Sequence, residues 1–374
     1  MKKIAIIFSS LLICLQLIAQ KIESEPNFQH GVTFFNLGEY RVALDHFNNA
    51  INAKPNNAMA YYYLGYINLY LGKKQESGEY FNKAYKIEPN DAVIAAALAN
   101  FYTESYDFKK AEKLLEKAIR INPFYPESYN NKGVLLFKRG QYRAALENYN
   151  IAIKLDSTFA LAYSNRGTVR YYNQDVSSAS KTDLRLAIND FNKALQLEPN
   201  LEIALKNRGI AYKLMGELDS SMIDYNIFIQ QNPKNESVYL ERGKLKIQQK
   251  DYKSAIEDFM IALELKPDFA EAYYQRANAK SKLKYYEAAN EDLIKAMAYN
   301  QNIIPRALYK IAANYAMLND STKAQKFLNE CFAKNYFSSK DNLQQFFKDE
   351  DFNNLKNNKE FIAFKEKLKK LYKK

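Results

Sequence analysis

Apolar and small residues recur along this chain with a long period. Pro55, Pro89 and Pro123 are 34 residues apart, and so are Pro199, Pro233 and Pro267. The gap from Pro123 to Pro199 is 76 residues, two periods plus eight. With each unit counted so that proline falls at position 32, a small residue recurs at position 8: Gly31, Gly65, Ala99, Gly133, Gly167, Gly209, Gly243 and Ala277. A second recurs at position 20: Ala43, Ser77, Ala111, Ala145, Ala187, Ser221, Ala255 and Ala289. Position 24 is large and apolar throughout, from Phe47 to Leu293, and position 27 is alanine except at Phe228. A fixed period of this length marks stacked helical hairpins. In each hairpin the small residues let helix A and helix B approach closely. The residues at 24 and 27 are expected to pack against the neighbouring unit. Proline lacks an N–H, so it stops helix B and sets up the next helix A. One hairpin cannot bury its apolar face alone, so the units must stack.

The stretches "AYSNRGTVR", "QYRAALENYNIAIKLD" and "DYKSAIEDFMIALELKPDF" carry this pattern most fully. They resemble the tetratricopeptide repeat, and the resemblance covers residues 24–338. It implies an all-α, right-handed superhelical solenoid of about nine two-helix repeats. The units start near 24, 58, 92, 126, 160, 202, 236, 270 and 305. The ninth keeps Tyr315, Ala324, Leu328 and Cys331 but lacks the proline. The extra eight residues, "QDVSSASK" at 174–181, fall between helix A and helix B of the fifth unit and read as an enlarged surface loop. Residues 339–374 resemble the closing segment of many proteins of the family. Phe361, Phe364, Leu368 and Leu371 share one helical face there, with lysines on the other, which reads as a capping helix.

The first residues break the period. Lys2 and Lys3 precede an apolar run from Ile4 to Ile18, followed by Ala19. This is the layout of a signal peptide spanning 1–19, and the run is short for a bilayer span of roughly 20 residues. Leu17 is large for the −3 position, so the cleavage site stays open, as does an uncleaved anchor. Lipidation at Cys14 is a further alternative, although Ile13 before it is not small. The expected location is the periplasm or cell envelope of a bacterium, with no integral span after cleavage. Removal of the signal leaves Cys331 as the one cysteine, a small buried hydrophobe without a disulfide partner. The formal charge is +12, but no run of five basic residues occurs, so nucleic acid is not an expected partner.

Catalytic chemistry finds no foothold. His30 and His46 are the two histidines, and they form no metal-ligand spacing. No phosphate loop or nucleophile elbow occurs, and Asp349 and Asp351 look like solvated tail residues. No enzyme activity, cofactor or metal is implied. The expected function is a non-catalytic scaffold or adaptor binding a protein or an extended peptide. The alternative is an assembly component of an envelope secretion or polysaccharide machine that contacts partners by its outer face. In the resembled family, helix A lines the concave groove, with positions 2, 5, 6, 9, 12 and 13 turned toward it. Two candidate sets follow. Tyr62, Tyr66 and Tyr70 form an i, i+4, i+8 stripe, which Phe28 and Phe35 extend. Position 6 carries Asn131, Asn165, Asn207, Glu241 and Gln275, either a ladder gripping a peptide backbone or surface amides bonded to water. A carboxylate clamp built on Lys206 and Asn207 fails, because Ser164 and Leu240 occupy the partner positions.

Overall fold

The computed structural model describes residues 26–172 and 180–372 of the chain. The signal-peptide reading of residues 1–19, Cys14 and most of the insertion, 174–179, lie outside them. The chain divides into two compact units, Met1–Pro199 and Asn200–Lys374.

In the first unit the A and B helices alternate. They are α1 (26–36), α2 (Tyr40–Ala53), α3 (Ala58–Tyr70), α4 (Lys74–Ile87), α5 (Ala92–Glu104), α6 (Phe108–Ile121), α7 (Pro126–Lys138), α8 (Tyr142–Leu155), α9 (Ala160–Tyr172) and α10 (Lys181–Leu197). The second unit continues the alternation with α11 (Glu202–Met215), α12 (Leu218–Gln231), α13 (Glu236–Gln248), α14 (Tyr252–Leu265), α15 (Ala270–Lys282), α16 (Tyr286–Tyr299), α17 (Ile304–Met317) and α18 (Ser321–Ala333). It closes with α19 (Lys340–Lys348) and α20 (Lys359–Tyr372). The described residues are helices, 3-10 turns and short connections, with no strand among them. The architecture is an all-α array of paired helical repeats.

Each B helix that precedes a period proline stops two residues before it, as Ala53 does before Pro55 and Leu265 before Pro267. Between repeats that proline is missing twice: after α8, where Ser157 stands in its place, the helix still stops two residues before it, and after α16 a 3-10 turn Gln301–Ile303 leads into α17. The A–B turns need one residue in the left-handed region. Gly38, Gly72, Gly140 and Gly216 supply it, Asn319 tolerates it, and Tyr106, Lys250 and Lys284 adopt it against their steric preference.

The packing inside each hairpin is tighter than the period alone conveys. At six repeats the ring at position 24 lies directly on the glycine at position 8. A Cβ on Gly243 would stand 2.5 Å from the Phe259 ring, and one on Gly133 would stand 2.6 Å from Tyr149. Position 24 therefore packs on helix A of its own repeat. Where position 8 is alanine, at Ala99, Ala277 and Ala312, position 24 is leucine: Leu115, Leu293 and Leu328. The alanine methyl occupies the space that the ring would fill. The rings have no slack, since Phe259 and Phe191 are fully buried.

A second tie runs from helix A to helix B. Arg166 in the first unit clasps Asp190 through Nε (3.0 Å) and Nη2 (2.6 Å), and Arg170 joins the same carboxylate at 2.8 Å. In the second unit Arg208–Asp224, Arg242–Asp258 and Arg276–Asp292 repeat the bidentate pair at 2.6–3.0 Å. Lys246 and Lys280 reinforce the last two. Some clasps also reach back one repeat, as Arg242 does to Asn226 at 2.8 Å. The four carboxylates are buried, and a buried carboxylate is tolerable only when so paired.

Several expectations change. Lys181 belongs to α10, which has 17 residues where the other B helices described have 13 or 14. Ser180 caps it, accepting from the Asp183 amide at 3.1 Å and donating to the Asp183 carboxylate at 2.6 Å. The end of the insertion is thus an added helical turn rather than loop, because Ser180 satisfies one orphan donor and Asp183 holds its hydroxyl in place. The C-terminal cap is also more than one helix. Phe337, Phe346, Phe352, Phe361, Phe364 and Leu368 build an aromatic core against α17 and α18. Leu371, placed on that buried face by periodicity, is half exposed. Asp349 accepts the Tyr309 hydroxyl at 2.5 Å, so it is not a solvated tail residue.

Gly167→Leu is expected to lose about 2 kcal/mol or more, because its Cβ alone would lie 2.9 Å from the Phe191 ring. The leucine pairing gives a sharper check. Gly243→Ala and Phe259→Leu should each lower the denaturation midpoint, whereas the double variant should recover about 1 kcal/mol relative to their sum. Additive losses in urea melts would show that the two positions do not share one space.

Candidate protein-binding surfaces

The tyrosine stripe of α3 divides on folding. Tyr62 and Tyr66 stay together with ring centroids 5.0 Å apart, and Tyr66 stands edge-on to buried Phe81 at 5.0 Å. Tyr70 leaves the stripe, is exposed, and lies against Tyr40 at 4.2 Å. Phe28 and Phe35 pack on Tyr63 at 6.1 and 5.0 Å, and Tyr63 in turn stands edge-on to Tyr62 at 5.1 Å, so they reach the Tyr62 patch through Tyr63.

Beside α3 runs α5, rich in alanine at Ala95, Ala96 and Ala97. Tyr62 and Tyr66 pack against the cluster of Phe81, Ala97 and Leu98, and Tyr125, just before α7, packs against that of Ala95, Ala96 and Ala118. The short side chains of α5 leave room that tyrosines from both sides share. Glu127 in the first turn of α7 joins them electrostatically. One of its carboxylate oxygens, Oε2, is buried without a hydrogen-bond partner. Burial pushes the Glu127 carboxyl above its ordinary range, with Asp156 adding to it. Burial likewise pushes the Tyr66 phenol up to about 12, and Tyr62 and Tyr125 above theirs. All three phenols are neutral near pH 7, and the Tyr62 and Tyr66 hydroxyls share a hydrogen bond. Tyr125 and Glu127 were not among the sequence candidates, although Glu127 occupies position 2 of its repeat, a groove position.

The position-6 amides do form a connected run, but they spend it on the protein. Asn165 donates to Asn130 (2.9 Å), Asn130 to Asn131 (3.3 Å), and Asn131 to the Ala96 carbonyl (3.2 Å). Neither of the two alternatives describes this: the amides tie α9, α7 and α5 together. In the second unit Asn207 is buried. Glu241 receives Lys213 at 2.6 Å and Lys244 at 2.8 Å. Gln275 donates to Glu271 at 2.7 Å and accepts from Asn278 at 3.3 Å, and Arg306 pairs with Glu271. Gln275 also lines a cavity of about 420 Å³ between α13, α15 and α17.

His30 and His46 lie 5.4 Å apart between ring centroids, and His46 stacks on Phe34. No group of three or more metal-binding side chains occurs among the described residues, and none of their helices is long and apolar enough to cross a membrane. Cys331 is buried, its thiol donating to the Pro305 carbonyl at 3.4 Å and its pKa pushed up to about 12 by burial.

Paired helices of one length, tied laterally and offering polar and aromatic side chains along helix A, define a helical-repeat interaction scaffold. Residues 133–174 and 243–284 match the family described as TPR repeat. Residues 28–92, 94–125, 114–147, 270–303 and 306–346 match families described as tetratricopeptide repeat. The matches span well over half of the chain, which belongs to the tetratricopeptide-repeat proteins, a class of protein–protein interaction scaffolds. It is 28% identical over 134 residues to the protein CTR9 homolog of Arabidopsis thaliana, covering 34% of this chain and 12% of that protein. It is 40% identical over 60 residues to stress-induced-phosphoprotein 1 of Caenorhabditis elegans, covering 16% of this chain and 19% of that protein. The chain therefore matches less than a fifth of either relative. Its fold is similar to the Cut9–Hcn1 hetero-tetramer of the APC/C at a TM-score of 0.64, with 16% identity over 76% of this chain and 54% of that one. It is also similar to the human IFIT1 dimer with m7Gppp-AAAA at 0.59, with 15% identity over 83% of this chain and 72% of that one.

The Glu241 pairs give a pH signature. Burial works against ionisation, but Lys213 and Lys244 together outweigh it and hold the carboxyl below the usual glutamate range. A depressed folded pKa gives stability that is complete above the unfolded value, about 4.3, and lost as pH falls through the folded one. Glu241→Gln should cost about 1–2 kcal/mol at neutral pH. Melting curves of variant and native protein should converge as pH falls below about 4. A constant difference down to acid pH would contradict the pairing.

Proposed function

We propose that this chain is an exported, non-catalytic scaffold of a bacterial cell envelope that holds an extended peptide segment of a partner protein along the A helices of its first unit. The observation that carries the reading is the orphan oxygen of Glu127, buried beside Tyr62, Tyr66 and Tyr125. A buried carboxylate oxygen without a donor is costly, and a peptide N–H or a basic side chain would satisfy it. Tyrosine suits the surrounding contact, offering apolar area and a hydroxyl at little entropic cost. Export rests on the lysine-led apolar run of residues 1–19.

The outer-face alternative has an observation of its own. Ile223, Met260 and Ile294 on α12, α14 and α16 are 59%, 46% and 55% exposed, one apolar side chain on each of three successive B helices. The two readings separate by mutation. Tyr62→Ala with Tyr66→Ala should abolish selection of ligands from a displayed peptide library and leave contacts made through Met260 and Ile294 intact. Unchanged selection would remove the α3–α7 surface from consideration. Residues 1–25 fused to a phosphatase that is active only outside the cytoplasm should yield active enzyme in a bacterial host, and an inactive fusion would contradict export.

A further inference from the structure

We infer that the cavity lined by α13, α15 and α17 in the second unit is a pocket for an acidic peptide segment. The inference rests on the peptide-scaffold reading and gives the second unit its own ligand class. The cavity measures about 420 Å³, the size range of pockets that enclose small ligands. Lys282 ends α15, Lys284 sits in the following turn, and Lys310 comes from α17.

These lysines differ from their neighbours. Lys213 and Lys244 are paired with Glu241, Lys246 with Asp258, and Lys280 with Asp292. Among the described residues no carboxylate lies within the 4.0 Å contact limit of Lys282, Lys284 or Lys310. Three cations around one cavity repel each other and attract an anion. The chain places one carboxylate at the cavity wall, that of Asp351, from the 3-10 segment Glu350–Leu355. Burial and then the neighbouring Asp349 push the Asp351 carboxyl above its ordinary range, while Lys310 and Lys282 pull it down. Asp351 therefore sits in the field of two of the lysines without reaching contact, which leaves space for a second acid.

The other wall selects a peptide over a bare anion. Asn278 Oδ1 is buried without a hydrogen-bond partner, and its amide nitrogen is already engaged with Gln275 at 3.3 Å. That oxygen needs a donor, which a peptide N–H supplies and an anion without a proton does not. The floor is rigid: Ser281 donates to Asn314 at 2.9 Å, and Asn314 donates to Asn290 at 2.8 Å. An acidic side chain on Lys282 and Lys310, with a backbone N–H on Asn278, uses the free oxygen and two of the three unpaired lysines.

Fluorescence anisotropy of the full chain with labelled hexaglutamate, and with hexaglutamine as the neutral control, tests this. Hexaglutamate should bind more tightly and lose affinity with salt. Lys282→Ala with Lys310→Ala should weaken it about tenfold while leaving the melting curve unchanged, because these lysines support no ion pair. Asp351→Asn should tighten it about threefold by removing the competing charge. Lys109→Ala with Lys113→Ala, exposed lysines on α6, should have no effect. An equal loss with that control pair would reduce the binding to bulk charge and overturn the inference. Equal binding of the neutral peptide would overturn the acidic preference and leave the scaffold reading standing. Displacement by inorganic phosphate at matched charge, with the same dependence on Lys282 and Lys310, would make the site one for a bare anion and also overturn it. Loss of the Tyr62-dependent selection with hexaglutamate binding intact would instead strike the first-unit reading alone.

Discussion

The array depends on one contact repeated along the chain: an aromatic ring pressed against a helix that carries no side chain beneath it. The glycine at position 8 brings helix A within reach of helix B, and the ring at position 24 fills the gap so completely that a single methyl would collide with it. Protein interiors are packed to crystal density, so the fit is a constraint on both partners at once. The repeats obey it jointly. Glycine goes with Phe or Tyr, and alanine with Leu, in the first unit and again in the second. Helix separation and repeat geometry follow from that joint choice, since neither residue alone decides how close the backbones come.

On this frame the polar side chains sort into two kinds. Most are consumed in holding it. The Arg–Asp clasps bind helix A to helix B, and the Asn165–Asn130–Asn131 run binds one helix A to the next. Such groups are buried or half-buried and satisfied, so they contribute order and have little left for a ligand. Among those not consumed are the Glu127 oxygen in the first unit, and the Asn278 oxygen and the three unpaired lysines in the second. In a lattice so thoroughly bonded, unspent groups clustered at a cavity or a tyrosine patch are the places where a partner has something to offer. The same sorting explains why the position-6 residues and the tyrosine stripe did not survive as single sites. Tyr70 turned aside to Tyr40, and Asn207 was buried.

The period of 34, the small residues and the prolines of the sequence were enough to determine the class of fold, because they encode local helix geometry and the spacing of one hairpin. They also showed where helix B must stop, since proline acts on its own backbone. Other features depended on two residues far apart in the chain. The joint choice at positions 8 and 24 was written in the sequence but acquires meaning only when the ring is seen against the glycine. The Arg at position 7 and Asp at position 23 recur just as plainly in four repeats, yet nothing local marks them as partners. Ser180 could have been read as a helix cap from Ser-x-x-Asp, whereas the exposed Leu371 could not have been told from its buried neighbours by periodicity. Which amide, carboxylate or lysine remains free for a partner was decided by the tertiary structure alone. Whether a polar group is satisfied depends on every neighbour within about 3 Å, and the sequence orders those neighbours along a line, not in space.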